Sequence, residues 1–189
     1  MNTETESGYM SARASKIFQS RLETLKRESN WKGLAKMLKR YAKRYPNEYY
    51  VSQQLAATLY IESIAQYKLA IQYAECAIVT EPEDDLNIYT YACALYYVGQ
   101  LDKSFEYFMK IINKDIQEIA YGEHGEGIRY AKQLINDSVY MVGVVCQRLQ
   151  KYNEAKGFFL RHLEDRKPFQ YSDFTKKQVM KHLSELENS

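Results

Sequence analysis

A sequence that returns to the same pattern about every 34 residues must stack one helical unit on the next, because a unit that small cannot bury its own apolar face. In residues 86–116, Ala92 is a small residue on a first helix, Gly99 marks a turn, and Ser104, Phe108 and Ile111 mark a second helix. Upstream, Ala57 and Tyr60 precede Ala70, Ala74, Ala77 and Pro82, and Ala70 lies 34 residues before Ser104. Downstream, Gly143 and Cys146 precede Tyr152, Ala155 and Phe159. The separations Ala92 to Gly143, Ser104 to Ala155 and Phe108 to Phe159 are each 51 residues, one unit plus 17 extra residues. A fainter unit stands at the front, with Phe18, Leu22 and Leu25 in its first half and Trp31, Leu34, Leu38 and Pro46 in its second.

The spacing has a physical reading. Ala57, Ala92 or Gly143 lets two antiparallel helices approach closely, and Ala70, Ser104 or Ala155 does the same from the second helix. Pro46 and Pro82 stop second helices, since proline donates no helical hydrogen bond and disfavours helical geometry just before it; Pro168 serves the third full unit one residue late. With only 8 Gly and 3 Pro in 189 residues, few other positions interrupt a helix. The turn at Glu62–Lys68 carries one extra residue. The 17 extra residues read as helical on both sides of a glycine cluster. Phe105, Phe108, Met109, Ile112, Ile116 and Ile119 keep a three-to-four spacing, as do Ile128, Ala131, Ile135, Val139, Val142 and Leu149 with gaps. This predicts two over-long helices joined at Gly122–Gly127 and projecting beyond the solenoid edge. Residues 173–186, with Phe174, Val179, Leu183 and Leu186 apolar, read as a closing helix.

On these residues the chain resembles the tetratricopeptide repeat (TPR) family, in about three and a half units from Ser15 to Pro168. The resemblance implies an all-α, right-handed α-solenoid of antiparallel helix pairs with a C-terminal capping helix. Residues 1–12 would form a flexible tail and residues 13–189 a single TPR-like domain. The units diverge from the family pattern, whose first-helix aromatic is replaced by Gln53, Ile88 and Val139. In this family the first helices line a concave surface that takes peptides or helices. That face maps to Val51, Gln54, Thr58, Ile61 and Glu62, then Leu86, Tyr89, Cys93, Tyr96 and Tyr97, then Asp137, Tyr140, Val144, Gln147 and Arg148. Of these, Gln54, Thr58, Tyr89, Cys93, Tyr96, Tyr97, Tyr140, Gln147 and Arg148 are the candidate partner-binding residues. Tyrosine is 18 of 189 residues, and it joins a large contact area to a polar tip. The family's carboxylate clamp is not matched, because Gln54, Thr58, Thr90, Asp137 and Met141 occupy its positions.

No chemistry-bearing constellation emerges. His124, His162 and His182 are isolated in sequence, no HExxH, CxxC or nucleophile-elbow pattern occurs, and no metal or cofactor motif is found. The run Gly122-Glu-His-Gly-Glu-Gly127 lacks the Lys-Ser or Lys-Thr of a phosphate loop; it reads as a helix-to-helix turn whose Glu123, His124 and Glu126 could form a contact tip. Cys76 and Cys146 fall on expected core faces, and Cys93 on the groove side. Three scattered cysteines suggest a reducing compartment, and Met1–Ser7 show no secretory pattern, so the expected location is cytoplasmic, with no membrane partner. Residues 13–44 carry eleven Lys and Arg against Glu23 and Glu28, a net +9 in a chain of net +2. The leading reading is therefore not an enzyme. It is a protein-binding module, an adaptor or a toxin-neutralising immunity-type protein, that holds another protein or peptide in a tyrosine-lined groove. The alternative is nucleic-acid binding by the basic front, where Trp31, Tyr41 and Tyr45 interleave with the charges.

Overall fold

The computed structural model describes residues 8–28, 30–62, 67–166 and 171–187, with side chains omitted at 57, 59–62, 67 and 68. The expected turn at Glu62–Lys68, Pro168, and the first seven residues of the expected tail therefore lie wholly or partly outside the described residues. Among the described residues there are helices and no strands. Close approaches group the chain into two compact units, divided after Pro82.

The first unit holds α1 (Ala12–Arg27), α2 (Trp31–Arg44), α3 (Tyr49–Glu62) and α4 (Tyr67–Thr80). Helix starts are fixed by side-chain oxygens. Ser11 Oγ accepts from the Ala14 amide at 3.3 Å and Asn30 Oδ1 from Gly33 at 3.0 Å, satisfying donors that have no partner within the helix. Helices α2 and α4 each end two residues before a proline, Pro46 and Pro82, as proline geometry requires. The core gathers Phe18, Leu22, Leu34, Met37, Leu38, Val51, Leu55 and Ala70. Phe18 packs on Tyr41 with ring centroids 4.9 Å apart. Gly8 and Met10 are fastened to the turn before α3: Asn47 N donates to Gly8 O at 3.1 Å and Met10 N to Glu48 Oε1 at 2.7 Å. Cys76, expected in the core, is exposed. The buried stripe of α4 runs through Ala70, Ala74 and Ala77, and Cys76 sits about 100° round the helix from Ala77.

The second unit holds α5 (Asp85–Tyr97), α6 (Leu101–Asn113), α7 (Ile116–Tyr121), α8 (Ile128–Arg148), α9 (Tyr152–Asp165) and α10 (Lys176–Glu187). Helices α5 and α6 form one antiparallel pair and α8 and α9 the next; α6 lies against α8, and α10 against α9. The two pairs repeat in detail at the 51-residue offset. Gly99 N donates to Tyr96 O and Gln100 N to Leu95 O; Gln150 N donates to Gln147 O and Lys151 N to Cys146 O. This bond pattern ends a helix with one residue in the left-handed region. Gly99 takes φ +83° there freely, whereas Gln150 takes φ +61° with a side chain attached.

The small residues sit where the helices cross. Gly143 faces Phe159 so closely that an added Cβ would lie 2.8 Å from its ring, and Phe159 and Ala155 are fully buried. In the preceding pair Ser104 is buried too, and its Oγ donates to the Ala92 carbonyl across the pair at 2.8 Å.

One expectation is corrected. Helix α8 is over-long, at 21 residues, but its intended partner is broken in two. Lys114 turns extended at ψ 149°, and the Asp115 carboxylate accepts from Gln117 N at 2.6 Å, starting α7 afresh. The Lys114 ammonium is drawn to Asp85 at 3.2 Å, Glu118 at 3.5 Å and Glu83 at 3.7 Å. Those charges hold the break, and α7 lies back on α8 with Ile119 and Ala120 buried, in place of a projecting second long helix. Among the described residues, no helix is long and apolar enough to cross a membrane.

Two substitutions test this packing. Gly143→Val forces Phe159 or the helix pair apart and is expected to lower unfolding free energy by about 1–3 kcal/mol in a urea titration. Gln150→Gly relieves the left-handed strain, and the same titration should show a gain of roughly 1 kcal/mol.

Candidate functional site

The first helices of the second unit, α5 and the C-terminal part of α8, carry most of the candidate groove. In the 51-residue register Tyr89 corresponds to Tyr140, Tyr96 to Gln147 and Tyr97 to Arg148. The structure divides these residues into an open group and a packed group.

The open group lies at the C-terminal ends of α5 and α8. Arg148 is exposed and extends its guanidinium to α5, donating to the Tyr96 carbonyl at 3.0 Å and sitting 4.7 Å from the centre of the Tyr96 ring. A cation suits the last carbonyls of a helix, which carry its partial negative charge, and it suits an aromatic face as well. The Tyr96 ring meets Tyr97 edge to face at 5.0 Å, and Tyr97 is 37% exposed. Two phenols and a guanidinium thus converge on one exposed corner.

The packed group follows α8 inward. Tyr140 is 5% exposed, and its ring stacks on Phe174 at a 3.9 Å centroid distance. His182 on α10 lies between Tyr140 and Gln147. Its Nδ1 donates to Gln147 Oε1 at 2.7 Å, so Nε2 carries the lone pair that accepts from the Tyr140 hydroxyl at 3.0 Å. Gln147 Nε2 also reaches Glu185 Oε2 at 3.4 Å. Burial, then the nearby Tyr96, Tyr97 and Glu185, pushes the Tyr140 phenol up to about 12. Further along α8, Asp137 Oδ1 accepts from the Ser172 hydroxyl at 2.5 Å and from Asp173 N at 3.0 Å, and Asn136 Nδ2 donates to Tyr171 O at 2.8 Å. His162 is fully buried, donating from Nδ1 to Asn136 O at 2.8 Å. Residues 171–187 therefore form a strap along α8, and Tyr140 and Gln147 face the chain's own C-terminal segment. Sequence reasoning foresaw a closing helix but not that its segment would occupy these two residues, through Phe174 and His182.

The other candidates fall into place by exposure. Cys93 is 2% exposed and buried in its own unit, and Tyr89 is half-buried with its ring edge on Phe108 at 5.6 Å. In the first unit Gln54 and Thr58 are 9% and 3% exposed, and the Thr58 hydroxyl donates back to Gln54 O at 2.7 Å. In the loop before α8, Glu123 and Glu126 are exposed and His124 is half-buried. The loop is drawn tight by Gly125 N donating to Gly122 O and Gly127 N to Ala120 O, both at 2.9 Å. Among the described residues no group of His, Cys, Asp and Glu is arranged to hold a metal ion.

The basic front has a different character. Trp31 and Tyr41 are half-buried against the core of the first unit, and Tyr45 is buried, its ring 5.8 Å from that of Tyr41. Their faces serve packing. Between α1 and α2 runs an open groove of about 470 Å³, floored by Leu25, Gly33 and Met37 and edged by Arg21, Lys36 and Arg40. It continues into a second hollow of about 250 Å³ among Arg21, Arg40, Tyr41 and Arg44.

The strap responds to acid in a defined direction. Burial lowers the His182 pKa, with Lys181 adding to that and Glu185 opposing it. A depressed histidine contributes stability that is complete above its unfolded value of about 6.5 and is lost as pH falls through the folded value. His162 is lowered by burial in the same sense, whereas Asp137, raised by burial to about 6, acts oppositely. The stability advantage of the wild type over His182→Gln should therefore shrink as pH is taken from 7.5 to 5, measured by urea titrations of both proteins; an advantage that grows in acid contradicts the bonding described.

The fold can be set beside known proteins. No protein-family model matches the chain, and no curated protein matches it. Solved structures do. The chain is similar to residues 41 to the end of MamA from Desulfovibrio magneticus RS-1, at 21% identity over 84% of this chain and 81% of that one, with a TM-score of 0.61. It is similar to a second structure of MamA protein at 13% identity, over 92% and 90% of the two chains, with a TM-score of 0.58. A double mutant of MamA RS-1 gives 21% identity, 77% and 71% coverage and a TM-score of 0.59. The likeness shows the fold, an all-α, TPR-like helical solenoid.

Proposed function

We propose that this chain is a protein-interaction module built on divergent TPR units, and that it holds a partner peptide or domain against the corner formed by Tyr96, Tyr97 and Arg148. The observation that carries the reading is that these three side chains meet at an exposed site, while Gln147, the register partner of Tyr96, and the neighbouring Tyr140 are engaged by α10. Tyrosine and arginine supply much of the binding energy in protein interfaces, because each covers apolar area and still offers a hydrogen-bonding tip. Arg148 already lies over the Tyr96 ring, so less side-chain freedom is lost on binding. The partner's complement is an apolar side chain against Tyr97 with a carboxylate or carbonyl beside Arg148. Glu123, His124 and Glu126 form a second contact region in this reading. An adaptor and a toxin-neutralising immunity protein would use the same corner and differ only in the protein captured.

The test is capture from the native cell with the wild-type chain and with the Tyr96→Ala/Tyr97→Ala variant, followed by binding of the purified captured protein. The variant should melt as the wild type does and should bind about tenfold more weakly or worse, a loss of roughly 1.4 kcal/mol. Equal binding by the two chains removes the corner as the interface.

A further inference from the structure

The groove between α1 and α2 has a chemistry of its own. Lys36, Arg40 and Arg44 recur at every fourth residue of α2, so they line one edge of that helix about 6 Å apart along its axis. Arg21 faces them from α1 across the same two hollows. All four are exposed, and among the described residues none of them forms an ion pair; Arg44 lies over the Tyr45 ring at 5.3 Å. Like charges held this close repel one another, and an opposite charge relieves that repulsion.

The floor distinguishes among acidic partners. Leu25 is half-buried, Met37 is 4% exposed and Gly33 adds no side chain, so a trough with an apolar base lies between the cations. A nucleic-acid backbone brings phosphates but no apolar group to fill that base. The aromatic faces that would stack bases, those of Trp31, Tyr41 and Tyr45, are turned to packing. We infer that the α1–α2 groove binds an acidic amphipathic helix of a partner protein, with glutamates or aspartates at every fourth residue meeting Lys36, Arg40 and Arg44, and an apolar side chain seated on Leu25 and Met37. This is helix-in-groove recognition with the charges reversed across the interface. It does not rest on the Tyr96–Tyr97 corner.

The test uses the full chain and fluorescence anisotropy with a labelled helical peptide carrying glutamates at i, i+4 and i+8 and leucines on the same face. Binding should weaken as salt rises, and Arg21→Glu/Arg40→Glu should weaken it about tenfold or more. Both substitutions lie on the surface, and circular dichroism melting verifies that the variant folds. A peptide with lysines in place of the glutamates should bind the variant better than the wild type, and Tyr96→Ala/Tyr97→Ala should bind the acidic peptide as the wild type does. Replacing the leucines by glutamine should cost about tenfold. The inference is overturned if the arginine variant binds the acidic peptide as well as the wild type, if the leucines make no difference, or if a single-stranded DNA 16-mer binds as tightly in the same buffer. It is equally overturned if sedimentation shows a second copy of the chain occupying the groove and excluding the peptide.

Discussion

Two helices can cross closely only where one of them gives up its side chain, and this constraint organises the second unit. Gly143 brings α8 against Phe159 of α9 with no room for a methyl group. In the preceding pair Ala92 leaves its carbonyl open to the Ser104 hydroxyl. Close crossing fixes the axial rotation of each helix, because a helix turned by one residue, about 100°, would point a bulky side chain into the contact. Once rotation is fixed, the direction of every other side chain on α5 and α8 follows.

That rotation explains why equivalent positions do different work. Tyr97 and Arg148 are exposed at the C-terminal ends of α5 and α8. Gln147 is the repeat equivalent of Tyr96, yet the strap of residues 171–187 lies beside it and beside Tyr140 and takes their polar atoms through His182 and Glu185. The strap does for the last helix pair what another pair would do within an array: it covers the apolar side and satisfies the exposed polar groups.

The repeat interval, the small residues at the crossings of the second unit, the closing helix and the stops at Pro46 and Pro82 were legible in the sequence, because each leaves a local mark of residue type at fixed spacing. Less local features were not. The break at Lys114 depends on carboxylates from Asp85 and Glu83, about thirty residues away in the chain. Cys76 adjoins Ala77 in sequence but lies off the buried stripe of α4, a difference of one residue that periodicity resolves poorly. Of the candidate site, the tyrosines were visible as a helical row. Which of them face outward depended on what packs beside α8, and spacing along a single helix carries no record of its neighbours.

The account rests on Tyr97 being open and Tyr140 being sealed by α10. Timed nitration of the folded protein, with each tyrosine followed by peptide mass spectrometry, reads that difference directly. Tyr97 should be modified early while Tyr140 stays protected until the protein unfolds. Modification of Tyr140 as fast as Tyr97 in the folded protein would contradict the strap, and with it the assignment of the open corner.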